Sequence, residues 1–176
     1  MTPKIERRFN KIDRELLQLV DQLKAYDDEA LNKKPGPGKW SVLQVMHHLV
    51  LAESAAFRYL RKKMQHDPRF KRAGFPSWLR SITLQLGFLL PIKFKAPDAV
   101  GDKKIPDISS LEEISEKWLK LRSELRIYSE QLPVEFYSKA IYKHPIGGRM
   151  SLFGMLGFFG GHFRRHRQQI HKCLKS

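Results

Sequence analysis

The sequence predicts an all-α protein, a four-helix bundle with one short additional helix. Three observations predict this fold class. Four long segments repeat apolar residues at helical spacing, stretches rich in proline or glycine separate them, and no segment has a convincing strand pattern. A chain of 176 residues has the size of one domain, so residues 1–176 are expected to fold as a single domain with a substantial core.

The first helix is predicted from about Pro3 to Ala25. Thr2 stands at the capping position, and a proline suits the first helical turn. The apolar residues that recur at helical spacing are Ile5, Phe9, Ile12, Leu16, Leu19 and Leu23. The sequence Pro-Gly-Pro-Gly at residues 35–38 then predicts a loop.

The second helix is predicted from Ser41 to about Lys63. Ser41 and Gln44 have the spacing of a capping box, in which each residue bonds to the backbone of the other. The apolar positions of this helix are Val45, Leu49, Ala52, Ala56 and Leu60. Asp67-Pro68 interrupts the pattern.

A shorter apolar helix is predicted from Pro76 to about Leu90, followed by Pro91. It overlaps the most apolar window of the chain, Ser81–Ile92. A bilayer-spanning helix needs about 20 apolar residues, so this window is too short to span. A segment of this kind either lies on a membrane or is buried in the protein.

Two further long helices complete the predicted bundle. Ser110 and Glu113 form a second capping box at the start of a helix that runs to about Leu132. The last helix is predicted from about Ser151 to Lys175, after a turn-rich connection at residues 144–148. Long helices joined by short to moderate connections favour an up-and-down bundle.

The net charge of +15 is concentrated in two segments. Residues 58–80 contain eight basic residues and a single acid, Asp67, while residues 136–176 contain eight basic residues and no acid. Aromatic residues and leucine interrupt both segments, so neither has the composition of a disordered basic tail. A solvated basic surface is one interpretation. The others are attraction to an anionic substrate, to acidic lipid head groups or to nucleic acid, and net charge does not choose among them.

The predicted location is the cytoplasm. Cys173 is the single cysteine, which excludes an internal disulfide framework and a cysteine-rich zinc module and suits a reducing compartment. Met1–Arg14 is charged throughout and lacks the apolar core of a signal peptide.

Helical geometry separates the seven histidines. At about 100° per residue, His162 and His166 lie one turn apart on a face of the last helix that is otherwise mostly apolar. On the second helix, His48 lies on the inward face and His47 is rotated away from it. Bundles commonly build metal sites from side chains on facing helices. The pattern therefore indicates a site of His48, His162 and His166 for a divalent metal such as zinc or nickel.

Three protein ligands leave a coordination position open for water or substrate, which is the arrangement of catalytic metal sites. The alternative is that these histidines are ordinary core side chains bonded to backbone groups. Without such partners, each buried ring would cost roughly 1–3 kcal/mol.

Other polar residues on these helices have two interpretations. Gln44 and Gln169 lie on inner faces, where each is a candidate to orient a bound water or a ligand ring, or else a core amide bonded to backbone. Glu53 is rotated about 140° from His48, which argues against a catalytic base there, and we expect an ion-pair partner or a part of another contact. The catalytic residues are otherwise unknown from the sequence.

The segment around the last helix contains further candidates. His144 and Arg149 precede that helix and either meet an anionic substrate or are ordinary loop polarity. Gly160-Gly161 indicates close packing of a neighbouring helix or an approach of substrate to the backbone.

Two stretches of the chain resemble the DinB/YfiT-like family. The first is Trp40-Ser41 followed by His48-Leu49 and Glu53. The second is HPIGGRMS at residues 144–151, followed by HFRRHRQQI at residues 162–170. The similarity covers nearly the full length in the same order, and the paired motifs are more specific than either one alone.

The resemblance implies an up-down-down-up bundle with a divalent metal held by three histidines. The ligand positions of the family fall on His48, His162 and His166, the same residues that helical geometry selects. Members are often dimeric, and those with a known activity are commonly transferases or isomerases that use a thiol cofactor, or metal-dependent hydrolases. The positive charge and the apolar window Ser81–Ile92 are not part of the family pattern.

The leading interpretation is a metal-dependent enzyme, either a hydrolase or a transferase that uses a low-molecular-weight thiol. It would act as a homodimer on a small-molecule substrate, for which an anionic group is one option. The alternative is a noncatalytic basic module that binds an anionic membrane or nucleic acid through Arg58–Arg80 and Phe136–Ser176. A third interpretation is a relic bundle whose histidines only pack.

Overall fold

The structure is a computed structural model that describes residues 1–66, 70–74, 104–145 and 147–175, together with positions 79, 82, 83 and 87. Its helices are α1 (Pro3–Leu23), α2 (Asp28–Asn32), α3 (Val42–His66), α4 (Leu111–Glu130) and α5 (Leu152–Cys173), and a 3-10 helix covers Val134–Ser138. The strands are β1 (Tyr142–His144) and β2 (Gly148–Met150). The mostly helical fold class is confirmed. The helix predicted from Pro76 to Leu90 lies outside the described residues, apart from the isolated positions.

The helix starts follow the local chemistry of the sequence. Ser41 Oγ accepts the Gln44 backbone N–H at 3.2 Å and Gln44 Oε1 accepts the Ser41 N–H at 3.1 Å, so this capping box is confirmed. Ser110 likewise accepts the backbone N–H of Glu113. Thr2 occupies the capping position of α1, but its side chain makes no capping hydrogen bond. Its backbone carbonyl accepts the N–H groups of the first turn instead.

The expectation that the chain has no strand is wrong at the connection before α5. There β1 and β2 pair antiparallel, with Tyr142 opposite Met150 and His144 opposite Gly148. Gly148 has a φ of +65°, in the left-handed region that glycine adopts readily. Three-residue strands are too short to show an alternating pattern in a sequence. They form here because the pairing partner and the adjacent helices stabilise them.

The core sits between four long helices. Each of α1 and α3 packs against both α4 and α5. One apolar cluster joins the first halves of α1 and α5 to the second halves of α3 and α4. A second cluster joins the opposite halves of the same helices. This distribution agrees with the up-down-down-up order, which itself stays a prediction.

Helices α1 and α5 approach each other closely at Gly160. A Cβ atom at this position would lie 3.4 Å from Ile12 Cγ2 and 3.2 Å from Arg164 Nη1. Of the two alternatives for this glycine, the structure shows close helix packing. Within the described part of the chain, we find no helix that combines the length and the apolar character needed to cross a bilayer.

Candidate metal centre

Helices α3 and α5 bring three imidazole rings together. Nε2 of His48 lies 3.2 Å from Nε2 of His162. One ring nitrogen from each of His48, His162 and His166 lies within 4.8 Å of the other two. The structure thus brings together the three histidines that helical geometry and the family resemblance select. That these histidines hold a metal stays a prediction. Their donor atoms and the distances between them can be compared with those that a metal ion requires.

The donor set fits a divalent first-row metal. Two nitrogen ligands of a tetrahedral zinc ion, each at about 2.0–2.1 Å, lie about 3.3 Å apart, close to the observed separation between His48 and His162. Imidazole is a suitable ligand for zinc and nickel. Among the described residues, no carboxylate or thiol joins this cluster. A metal held here by neutral rings would therefore keep its full positive charge.

Burial keeps the imidazoles of α5 neutral. Desolvation is the largest cause that lowers the pKa of His162 well below its ordinary 6.5, and repulsion from His166 and His48 adds to it. Desolvation, followed by repulsion from His48, lowers the pKa of His166 to about 4. Metal ligation requires deprotonated nitrogen lone pairs, which these two rings therefore provide at neutral pH.

The two inward glutamines have different roles. Gln169 Oε1 lies 2.9 Å from Nδ1 of His166. Because an amide oxygen only accepts, Nδ1 carries the proton, and this tautomer leaves the lone pair of His166 on Nε2. Gln44 instead donates to the Pro106 carbonyl at 3.4 Å and accepts the Ser41 N–H. Of the two interpretations of Gln44, these contacts are those of a core amide bonded to backbone groups, because the first turn of α3 uses its amide.

Aromatic rings form the walls of the cluster. The ring of Trp40 lies 5.0 Å from that of His48, measured between centroids. Phe158 stacks on His162 at 5.3 Å with 17° between the ring planes. His48 is 5% exposed, whereas His162 and His166 are only partly buried. The cluster is therefore lined by apolar rings, and its two α5 histidines are the more exposed members.

His144 is a neighbour of the cluster that the helical count could not place. Its ring is 8% exposed and lies 4.4 Å from the ring of Phe158, which stacks on His162. Its Nδ1 accepts the Gly147 N–H at 2.9 Å, which puts the ring proton on Nε2 while the ring is neutral. Burial lowers its pKa to about 4. The two glycines that follow His144-Pro145 are the sequence signal that could have revealed this hairpin. Arg149, the other candidate in this segment, lies in β2 and is exposed.

Glu53 is an ion-pair partner, as its rotation on α3 predicted. Its Oε1 accepts from Nη2 of Arg122 at 2.8 Å, and its Oε2 accepts from Arg122 Nε at 3.0 Å and from Trp118 Nε1 at 2.9 Å. Arg122 also donates to the backbone carbonyl of Ile12. This buried pair joins α1, α3 and α4, and both carboxylate oxygens of Glu53 accept hydrogen bonds that stabilise the packing of the bundle.

His47 lies outside the metal cluster, also as predicted. It is buried at 6% exposure, and its Nε2 lies 2.9 Å from Oγ of Ser109, in the segment before α4. Desolvation, followed by repulsion from Lys117, lowers its pKa. Its contacts hold that segment against α3, which makes His47 a structural neighbour of a candidate ligand.

Comparisons with known proteins show which family the chain belongs to. The chain is 25% identical over 162 residues to YuaE, an uncharacterized protein of Bacillus subtilis (strain 168), and the match covers 88% of this chain and 89% of that protein. No solved structure matches the chain at a significant level. The family model described as the DinB superfamily matches residues 8–170, a span that contains all three clustered histidines. The chain therefore belongs to the DinB superfamily.

Proposed function

We propose that this protein is a metal-dependent enzyme in which His48, His162 and His166 hold a divalent metal, zinc or nickel. The observation that carries the proposal is the convergence of their ring nitrogens within 4.8 Å at the interface of α3 and α5. A metal held by these three imidazoles would have a coordination position for water or substrate and would supply Lewis-acid chemistry there.

The proposed reaction is hydrolysis, or transfer to a low-molecular-weight thiol, of a small-molecule substrate. Membership of the DinB superfamily supports this range of reactions through the resemblance described above. The thiol would come from outside the chain. Cys173 is unsuited to that role, because burial raises its pKa and its Sγ lies 3.6 Å from the Trp40 carbonyl oxygen, to which it donates.

The surrounding side chains would attract the substrate, orient the metal ligands and exclude water. Gln169 holds His166 in one tautomer, and the rings of Trp40 and Phe158 cover those of His48 and His162. Arg165 lies between the two α5 ligands, and its positive charge contributes to lowering the pKa of both. This positive potential favours a substrate with an anionic group. Homodimerisation and a cytoplasmic location belong to the same proposal.

Metal analysis of the purified protein tests the site, with adjacent histidines as a matched pair. His48→Ala removes a proposed ligand, whereas His47→Ala removes an equally buried ring that bonds to Ser109. We expect about one ion per chain in the wild type and in His47→Ala, and less than about a tenth of that in His48→Ala. Equal metal content in His48→Ala and the wild type contradicts the assignment. Circular dichroism verifies that both variants are helical.

A second assay separates the two reaction classes. The metal-loaded protein is incubated with ester, amide and alkyl-halide substrates, with and without an added low-molecular-weight thiol. Transfer consumes thiol and substrate in equal amounts, whereas hydrolysis proceeds without the thiol. His162→Ala is the negative control. An activity that is as high in this variant as in the wild type does not arise from this site.

A further inference from the structure

We propose that one end of the bundle binds the surface of an anionic lipid bilayer through a set of cations that we call the basic ribbon. The ribbon consists of Lys71, Arg72, Lys139, Lys143 and Arg149. The proposal is independent of the metal site, because no member of the ribbon belongs to the histidine cluster.

Backbone pairing places the cations of the ribbon opposite one another. Arg72 and Lys139 form an antiparallel bridge, flanked by two backbone hydrogen bonds of 2.8 and 3.0 Å. The chain then continues into β1, where Lys143 is paired with Arg149 of β2. Two like-charged pairs therefore lie directly across neighbouring backbone segments.

Taken alone, these two pairs of like charges lower the stability of the folded protein. Like charges placed directly opposite each other destabilise strand pairing. Within the described part of the chain, Lys71, Arg72, Lys139 and Lys143 form no ion pair, and residues 136–176 contain no acid. The neutralising charge for these four cations is thus not supplied by an ion pair among the described residues, and an anionic partner would supply it.

The last turns of α3 extend this positive surface. Arg58, Arg61 and Lys62 are exposed there, and α3 packs against β1. Nζ of Lys63 lies 5.9 Å from the ring centroid of Phe70, which directly precedes Lys71. The cations of α3 and those of the ribbon therefore lie at the same end of the bundle.

Exposed apolar side chains favour a lipid surface over nucleic acid as the partner. Val134, 71% exposed, begins the 3-10 helix that ends at Ser138, and Leu79, 45% exposed, follows the segment that contains Lys71 and Arg72. In the sequence, the apolar window of residues 81–92 comes next. Peripheral membrane binding combines burial of apolar groups with attraction to acidic head groups. A phosphate backbone offers no apolar layer that would bury these side chains.

Vesicle sedimentation tests the proposal with a charge-matched control. The probes are phosphatidylcholine vesicles with and without about 30% phosphatidylserine, which supplies the anionic charge. The ribbon variant is Lys71→Glu/Arg72→Glu/Lys143→Glu. The control, Lys33→Glu/Lys117→Glu/Lys120→Glu, changes the net charge equally at exposed positions elsewhere. We expect the wild type and the control to bind only the anionic vesicles, and the ribbon variant to lose at least about tenfold in partitioning.

Three results would overturn the proposal. They are an equal loss in both triple variants, equal binding of the wild type to neutral and anionic vesicles, and no binding to anionic vesicles at low salt. If the ribbon variant instead loses affinity for duplex DNA, with no vesicle binding by the wild type, the partner is nucleic acid. The metal content of the ribbon variant is expected to equal that of the wild type, which separates this test from that of the proposed enzyme.

Discussion

Nε2 of His48 and Nε2 of His162 face each other at 3.2 Å across the interface of α3 and α5. Two ring nitrogens at this distance repel if both present a lone pair, and also if both carry a proton. They are held together either by one shared proton or by a common cation. The third ring, His166, adds a lone pair whose position is set by the hydrogen bond to Gln169.

Metal affinity is expected to persist to lower pH than it would with ordinary histidines. The pKa of His166 is lowered to about 4 and that of His162 lies well below 6.5. Because protons on His162 and His166 compete with the metal only near and below these values, these two ligands should contribute little to any change in zinc affinity between about pH 7.5 and about pH 5.5. Competition with a chelator at each pH measures it. Weakening by tenfold or more between about pH 7 and about pH 6 would contradict the lowered pKa values.

Gln169→Ala is expected to weaken metal binding without removing a ligand. Without the hydrogen bond at Nδ1, neither the tautomer nor the orientation of the His166 ring is fixed. Loss of such a hydrogen bond typically lowers metal affinity by about 10–100-fold. Gln168→Ala is the matched control, since Gln168 is the adjacent residue of α5 and is exposed. Isothermal titration with zinc should give the same stoichiometry in both. If the two variants have equal affinities, Gln169 has no positioning role.

The metal-free protein is expected to lose stability as the pH falls below about 6.5. His144 has a folded-state pKa of about 4, below the unfolded value of 6.5, so the unfolded chain binds more protons between these values. The contribution of His144 is complete above the unfolded pKa and is lost as the pH falls toward the folded one. Between about pH 7 and about pH 5 the expected loss is about 2 kcal/mol.

Urea unfolding of the metal-free wild type and of His144→Asn at both pH values measures this contribution. Asparagine retains an acceptor near the position of Nδ1 for the Gly147 N–H but does not titrate in this range. The variant should therefore show a smaller decrease in unfolding free energy. An identical decrease in the two proteins would show that other groups cause the pH dependence.

Glu53→Ala is expected to lower the unfolding free energy by about 3–5 kcal/mol, because it leaves the buried Arg122 guanidinium with Asp13, at 3.9 Å, as its remaining acidic partner. Trp118 also loses the acceptor for its ring N–H. Glu124→Ala, at an exposed position of α4, should change stability by less than about 0.5 kcal/mol. Urea unfolding at neutral pH compares them. A loss in Glu53→Ala no larger than in this control would mean that the ion pair adds nothing to stability.

The candidate ligands were predictable because helical geometry is local. The four-residue spacing of His162 and His166 is enough to put both rings on one face, and rotation about α3 is enough to separate His48 from His47. The role of Gln44 follows from its capping-box spacing with Ser41, and its face on the helix does not by itself reveal it. It lies in the first turn, where unpaired backbone N–H groups recruit the nearest acceptor, and this local demand takes its amide away from the cluster.

His144 shows a different limit of sequence reasoning. A strand of three residues has no periodicity to detect, and its stability comes from its partner strand and from α3 and α5. Only after the hairpin folds onto these helices does His144 contact Phe158 and approach His162. The same holds for the ribbon, since the pairing of Arg72 with Lys139 joins segments that are far apart in the sequence.

By itself, the sequence determined where the long helices begin, which faces they bury and which family the chain resembles. Each of these follows from interactions within a few turns of one segment or from the order of short motifs. Only the tertiary structure decided the distances at which polar side chains meet, such as 3.2 Å between His48 and His162, and which cation pairs with Glu53. Those meetings depend on how closely and at what register the helices pack, and that is set by the whole core.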